Sequence, residues 1–228
     1  MPTKQKIIIL SLGGSIIVPP RGIDIKFLKN FKKLILEYVK NGWRFIIIVG
    51  GGATCRQYQA AAKSVGRIRP QGLDWLGIEA TRLNAGLLKA IFGDSACALV
   101  DPNKKIGCKE RILIGAGVKP GRSTDYVAVL CAEKYDARFL VNLSNIDFVY
   151  DRDPRKYKNA KKIKRIKWPD FKKLVGGAWT PGAHLPFDPI ASKLAQCLGL
   201  KVVIMNGRKL KEFEKLLRAK PFRGTIIE

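Results

Sequence analysis

Three times in this chain an apolar run stops at glycine and a helical pattern begins. The first is IIILSLGGSIIV, with Gly13 and Gly14. The second is IIIVGGGATCRQY, where Gly50, Gly51 and Gly52 follow Val49. The third is RILIGAGVKPGRSTDYVAVLCAE, with Gly115, Gly117 and Gly121 ahead of the helical stretch. A lone glycine at such a point reads as a turn residue, because glycine tolerates positive φ. Three in succession each give up roughly 0.5–1 kcal/mol of backbone entropy, so a turn alone does not account for them. Amides at a helix N-terminus bind phosphate, and a missing Cβ lets the phosphate approach. The three junctions therefore read as anion cradles.

Apolar runs bounded by turn signals predict strands over Lys6–Leu12, Phe45–Val49, Ala96–Val100, Arg111–Ile114, Arg138–Leu143 and Lys201–Met205, with a short one at Thr225–Ile227. Between them DIKFLKNFKKLILEYVKNG puts Phe27, Phe31, Leu34, Ile35 and Tyr38 on one helical face and stops at Gly42. CRQYQAAAKSVG, DWLGIEATRLNAGLLKAIFG, STDYVAVLCAEKYDA, DPIASKLAQCLG and KLKEFEKLLRA are further helical patterns. Strand alternating with helix specifies an α/β fold, a three-layer α/β/α sandwich with a central, mainly parallel sheet. Ligands of such sheets sit beyond the carboxyl ends of the strands. All three glycine clusters lie at those ends and can converge on one crevice. No linker or internal repeat divides residues 1–228, which read as one domain.

Of the 228 residues 46% are hydrophobic, enough for a sizeable core. No apolar run reaches the roughly 18 residues of a membrane span. The start, MPTKQKIIILSL, leads straight into Gly13 and reads as a strand, not a signal peptide. Cys55, Cys97, Cys108, Cys131 and Cys197 are scattered with no Cys-x-x-Cys pair, and His184 is the sole histidine. Neither a zinc site nor a disulfide framework is expected, and a reducing cytoplasm fits. The 43 basic against 18 acidic residues give a net charge of +25, which draws in anions: nucleotides, RNA or anionic membranes. The densest basic run, Asp153 to Lys173, reads first as a solvated lysine-rich face. Nucleic-acid contact is the minor reading, because no arginine–aromatic pattern of an RNA-binding module accompanies the run.

Two common phosphate motifs fail. A P-loop needs G-x-x-x-x-G-K-[ST], and AGVKPGRS has Ala116 and Arg122 at two of the fixed positions. A dinucleotide fingerprint needs G-x-G-x-x-G, but GAGVKPG has its third glycine one place late, and RFLVNLSN ends without an acid. What does fit is an ordered set: LGGSII, VGGGATCRQY, DWLGIEATRLNA, KPGRSTDYVA, SNIDFVYDRDP and FDPIASK. This order resembles the amino acid kinase superfamily over nearly the whole chain, and within it the uridylate (UMP) kinases of archaeal type. GIEATRLNA is the more specific pointer.

The resemblance implies transfer of the ATP γ-phosphate to UMP, giving UDP and ADP in pyrimidine nucleotide synthesis. It implies Mg²⁺ bound through the nucleotide phosphates, with no metal ligand from the protein. Residues from 1 to about 135 would form a UMP half and those from about 136 to 228 an ATP half. It further implies a homo-oligomer, a hexamer built from dimers. By the same resemblance Gly14 and Ser15 contact the ATP phosphates, Gly52 and Arg56 face ATP, and Gly51 approaches UMP. Asp74 would hold the UMP ribose; its other reading is a helix N-cap. Val118, Lys119, Pro120, Gly121, Arg122, Ser123 and Thr124 would form the loop around UMP. Ser144, Tyr150 and Asp153 match positions that hold adenine and ribose. The catalytic set would be Arg56 as phosphate clamp, Asp125 orienting phosphate-binding groups, and Asp188 organising metal or phosphate. Their plainer readings are a surface cation, a first-turn charge and a cap.

The chain departs from the family at three points. Ser11 stands where many members carry a lysine. Phe148 takes the place of glycine in the stretch DFVY. No histidine follows the triple glycine, where isopentenyl phosphate kinases have one. The rival readings are another kinase of the superfamily, acting on isopentenyl phosphate or acetylglutamate, and a nucleotide- or RNA-binding protein on the kinase fold.

Overall fold

The computed structural model describes residues 6–99, 101–176 and 185–228. Strand β1 (Lys6–Leu12) runs into the short helix α1 (Gly14–Ile17) and then α2 (Ile25–Lys40). β2 (Trp43–Val49) leads to α3 (Gly52–Val65) and α4 (Pro70–Phe92). After a 3-10 turn come β3 (Ala96–Ala98), β4 (Ile112–Gly115), α5 (Thr124–Lys134) and β5 (Phe139–Ser144). The remainder holds β6 (Val149–Tyr150), β7 (Lys162–Ile163), β8 (Arg165–Ile166), α6 (Trp168–Val175), α7 (Pro189–Cys197), β9 (Lys201–Asn206), α8 (Leu210–Leu217) and β10 (Thr225–Ile227).

Eight strands form one sheet in the order β3-β4-β2-β1-β5-β9-β10-β8. The first six are parallel; β10 runs antiparallel to β9, and β8 follows β10. The mainly parallel sheet expected from the alternation of strand and helix is thus present, with a reversed edge. β6 and β7 pair separately as an antiparallel ribbon. The central strands are apolar on both faces because both are covered. Phe45, Ile47 and Val49 pack with α2 and α4, as do Leu10 and Leu12. Ile46 and Ile48, with Ile9, pack against α5, and the same core continues into α6 and α7. Asp24 caps α2 by accepting from the Phe27 amide at 2.9 Å. That helix ends at Lys40, and Gly42 takes the left-handed turn beyond it with φ +84°.

Three expectations need correction. α4 begins at Pro70, a residue suited to the first helical position, so Asp74 lies inside the helix and is not its cap. The basic run from Asp153 to Lys173 exposes nearly all its lysines, as expected of a solvated face, but it is not only a face: it carries β7, β8 and the start of α6, whose Trp168 and Phe171 are buried. A disulfide joins Cys97 to Cys108, where none was expected. Cys97 sits opposite Leu113 on the outermost strand, and the β3–β4 connection folds back along that edge to bring Cys108 to it. Glu110 Oε2 lies 2.8 Å from Cys97 Sγ and 2.7 Å from Cys108 Sγ. These three residues are also the one compact group of potential metal ligands among the described residues, but bonded sulfurs are not thiolate ligands. His184 lies outside the described residues, as does Val100. Among the described residues no helix is long and apolar enough to cross a membrane.

Candidate functional site

The strand order reverses around β1, which has β2 on one side and β5 on the other. Register brings their carboxyl ends level. The Gly50 amide donates to Leu12 O at 2.9 Å, the Gly13 amide to Leu143 O at 2.9 Å, and the Gly207 amide to Ser144 O at 2.8 Å. The glycine loops after β1 and β2 then meet backbone to backbone. A Cβ on Gly14 would collide with Gly52 N and Gly50 O. One on Gly50 would come 2.6 Å from Gly14 N, and Gly52 holds φ +63°. The glycines are required first by each other, and their contact leaves a bare-backbone floor where anions can approach.

Helix α4 ties the surrounding loops together. Asn84, 3% exposed, donates Nδ2 to Gly50 O at 2.8 Å and to Gly51 O at 3.1 Å. One turn earlier, Thr81 Oγ1 accepts from the Gly117 amide at 2.8 Å and donates to Ile78 O. Nearer the helix start, Asp74 Oδ2 accepts from the Gly121 amide at 3.0 Å. The loop from Val118 to Thr124 is thereby held over α4. Lys119 and Gly121 are exposed there, Ser123 caps α5 by accepting from the Tyr126 amide, and the Arg122 guanidinium stacks 4.5 Å from the Tyr126 ring centre.

Beneath the glycine loops lies a polar cluster on otherwise apolar strands. Asp125 Oδ1 accepts from Ser11 Oγ at 2.7 Å and from Asn142 Nδ2 at 2.9 Å, and its Oδ2 faces the Asp188 amide at 3.3 Å. Burial pushes the Asp125 carboxyl up to about 6. The Ser11 hydrogen bond opposes that rise, and the Asp188 charge adds to it. Asp188 caps α7 by accepting from the Ala191 amide at 2.8 Å through Oδ1. Its other oxygen, Oδ2, is buried with no hydrogen-bond partner among the described residues. The capping reading of Asp188 thus accounts for one oxygen and leaves the second to be explained.

On the β5–β9 side, Ser144 Oγ accepts from the Ile146 amide at 3.3 Å. Asp147 receives Lys209 Nζ at 2.6 Å, Asn206 Nδ2 at 2.9 Å and Arg223 Nη2 at 3.3 Å. The Lys209 bond leads in holding its carboxyl below the usual range. Tyr150 sits half-buried on β6. Asp153 is engaged by the backbone and guanidinium of Arg155, whose side-chain bond holds that carboxyl low as well. Phe148 is buried, with Lys162 Nζ 5.7 Å from its ring centre. Between the two sides stands Ser15: its hydroxyl accepts from Arg56 Nη1 at 3.3 Å and its carbonyl from Arg208 Nη2 at 3.2 Å.

Sequence reasoning named no role for Thr81, Asn84, Asn142 or Arg208. The first two stood inside GIEATRLNA. Asn142 carried a readable signal, as an amide in the middle of the apolar run RFLVNLSN.

A parallel sheet with bare-backbone loops gathered where its strand order reverses is the frame of an α/β protein that receives anionic ligands. The chain belongs to the amino acid kinase family, which matches it over residues 6–108 and 108–206. A uridylate kinase of Methanococcus aeolicus is 34% identical over 96% of this chain and 98% of its own length. One from Sulfurisphaera tokodaii is 34% identical over 90% of this chain and 94% of its own. The crystal structure of uridylate kinase from Archaeoglobus fulgidus superposes with a TM-score of 0.81 at 29% identity, covering 97% of this chain and 99% of that one.

Proposed function

We propose that this chain is a uridylate kinase, moving the γ-phosphoryl group of ATP to the phosphate of UMP and releasing UDP and ADP. The observation that carries the reading is the double hold of α4. Through Thr81 and Asn84 one helix fixes both the glycine floor and the loop at Gly117, while Asp74 grips Gly121 of the same loop. The full-length uridylate kinase relatives agree with it.

Phosphoryl transfer asks mainly for positioning and charge neutralisation. Gly51, Asp74 and the Val118–Thr124 loop take the acceptor, with Lys119, Arg122, Ser123 and Thr124 as donors to its phosphate. Gly14, Ser15, Gly52 and Arg56 receive the ATP phosphates, with Arg56 as the phosphate clamp. Ser144, Tyr150 and Asp153 border the adenosine; Asp153 then exchanges its Arg155 contacts for the ribose. Asp125 holds Ser11 and Asn142 in place below the phosphates. Magnesium suits the donor set, because Asp188 Oδ2 is a buried, unpartnered carboxylate oxygen and Mg²⁺ takes hard oxygen ligands. The nucleotide phosphates would hold the ion and Asp188 would help to organise it, and the ion would supply charge neutralisation for the transferring group.

The reading carries with it an acceptor half up to about residue 135, a donor half beyond it, a cytoplasmic setting and a homo-oligomer. The α3–α4 pair supports the last: Tyr58, Val65, Trp75 and Leu83 are exposed there, Val65 at 89%. Light scattering that returns the mass of a single chain would remove the oligomer.

The deciding experiment is ATP turnover with UMP, CMP, isopentenyl phosphate and acetylglutamate side by side. UMP is expected to be the fastest acceptor. Faster turnover of isopentenyl phosphate or acetylglutamate would overturn the reading, and a nucleotide-dependent thermal shift without turnover would replace it by a binding protein.

A further inference from the structure

Among the described residues the floor of the crevice holds carboxylates and no cation. Ser11, 3% exposed, gives Asp125 a hydroxyl, and among the described residues the hydrogen-bond partners of Asp125 are Ser11, Asn142 and the Asp188 amide. A phosphate lying on the Gly13–Gly14 loop therefore needs its positive charge from above the floor. Two guanidiniums converge there on one residue. Arg56 reaches the Ser15 hydroxyl from α3, and Arg208 reaches the Ser15 carbonyl from the β9–α8 connection. Among the described residues neither forms an ion pair with an acid, whereas Lys209 and Arg223 beside them share Asp147. Two uncompensated cations on one residue repel, and an anion placed between them turns repulsion into attraction.

The backbone that carries Arg208 is built to hold its position. The Gly207 amide donates to Ser144 O, and a Cβ on Gly207 would come within 3.0 Å of Leu143 Cβ and 3.3 Å of Ile16 Cγ1, so this turn is pressed against α1. Asn206 Oδ1 accepts from the Arg208 amide at 3.1 Å while Asn206 Nδ2 and Lys209 Nζ both anchor to Asp147. The neighbours of Arg208 in this turn are tied down, and its own guanidinium, held to the Ser15 carbonyl, has no acid partner among the described residues.

We propose that Arg208 is a ligand of the donor nucleotide's phosphates, closing from the β9 side as Arg56 closes from α3, and that this clamp supplies the charge absent at Ser11. The inference rests on the reading of this crevice as the ATP site of a uridylate kinase. The test compares the parent with Arg208→Gln and Arg208→Lys by steady-state kinetics, by calorimetric ATP binding without acceptor, and by thermal melting. Arg208→Gln should lower kcat by at least about tenfold, on the scale of a lost transition-state donor, and weaken ATP by about tenfold. The KM for UMP and the melting temperature should stay unchanged. Arg208→Lys should recover part of the loss, and millimolar guanidinium should restore activity to Arg208→Gly, which a packing role would not permit. Because both arginines grip one anion, Arg208→Gln combined with Arg56→Gln should cost less than the product of the single losses. An unchanged kcat and ATP affinity in Arg208→Gln would overturn the proposal. A parent that binds ATP yet does not phosphorylate UMP would sink the uridylate kinase reading alone. The binding arm still decides the clamp in that case, supported by weakened ATP and overturned by unchanged ATP.

Discussion

The two sides of the crevice are held by different physics. On the α4 side, polar side chains of a single helix grip backbone groups, Asn84 on Gly50 and Gly51 and Thr81 on Gly117 through buried or part-buried bonds, with Asp74 adding an exposed bond to Gly121. On the β9 side, exposed charged pairs do the work: Asp147 with Lys209 and Arg223, and Asp153 with Arg155. Buried hydrogen bonds are costly to break because the abandoned partner stays dry, whereas exposed ion pairs contribute roughly 0.2–1 kcal/mol and exchange readily with water. The α4 side is thus preformed, and the β9 side can give up its internal pairs to a charged ligand.

Four substitutions probe this contrast. The largest effect belongs to Gly14→Ala, which strikes the floor common to both sides. Its Cβ has only the backbone of Gly50 and Gly52 to displace, and such overpacking should cost about 3 kcal/mol or more in urea unfolding and abolish turnover. Turnover near the parent's would show that the two sides do not depend on a shared floor.

Asp125→Asn comes next, with a pH signature. The Asp125 carboxyl is pushed from 3.8 up to about 6, so between those values the folded chain holds more protons than the unfolded one. Stability from this group is greatest below about 3.8 and falls as pH rises through about 6. Asparagine removes that loss. The gap in melting temperature, variant minus parent, should therefore be wider at pH 8 than at pH 5, while kcat drops. A gap independent of pH would deny the buried carboxylate its strain.

Asp74→Ala tests the preformed side. Losing a hydrogen bond to a charged group, on the order of 1–3 kcal/mol, should raise the KM for UMP by about tenfold and leave that for ATP alone. Equal changes in both would erase the distinction between sides. The smallest effect is expected from Asp147→Asn, which loosens the exposed pairs. A rise in KM for ATP of about threefold, in keeping with surface ion pairs, should come with unchanged UMP kinetics; a tenfold rise would mean that the donor side is as rigidly built as the other.

The sequence was most readable where one residue type had one cause. Apolar runs ending in glycine located β1, β2 and β4, because buried parallel strands need apolar residues on both faces and their close-packed exits exclude Cβ. The helical pattern reads as starting at Asp74, whose second reading is a cap because aspartate caps are common, while the true start at Pro70 lies behind a polar, turn-like RPQG. β6, β7 and β8 are two residues long within lysine-rich sequence, too short for periodicity to register. Cys97 and Cys108 meet only because β3 pairs with β4, and their spacing carries no sign of that. In the candidate site, Asn84 and Thr81 were visible as members of a motif, but their task depends on α4 crossing beneath two loops far away in sequence. Arg208 was one arginine among 43 basic residues. It stands apart only once the acids around it are seen to be taken.

The contact between the loop at Gly14 and the loop at Gly50–Gly52 has a thermodynamic consequence. Neither loop can shift without pushing the other, since backbone meets backbone with no pliable side chain in between. A nucleotide that settles one loop thereby settles its neighbour, and part of the ordering cost of the second ligand is met by the first. Occupancy of the two subsites should be linked, and linkage is reciprocal: whatever factor ATP contributes to UMP affinity, UMP returns to ATP.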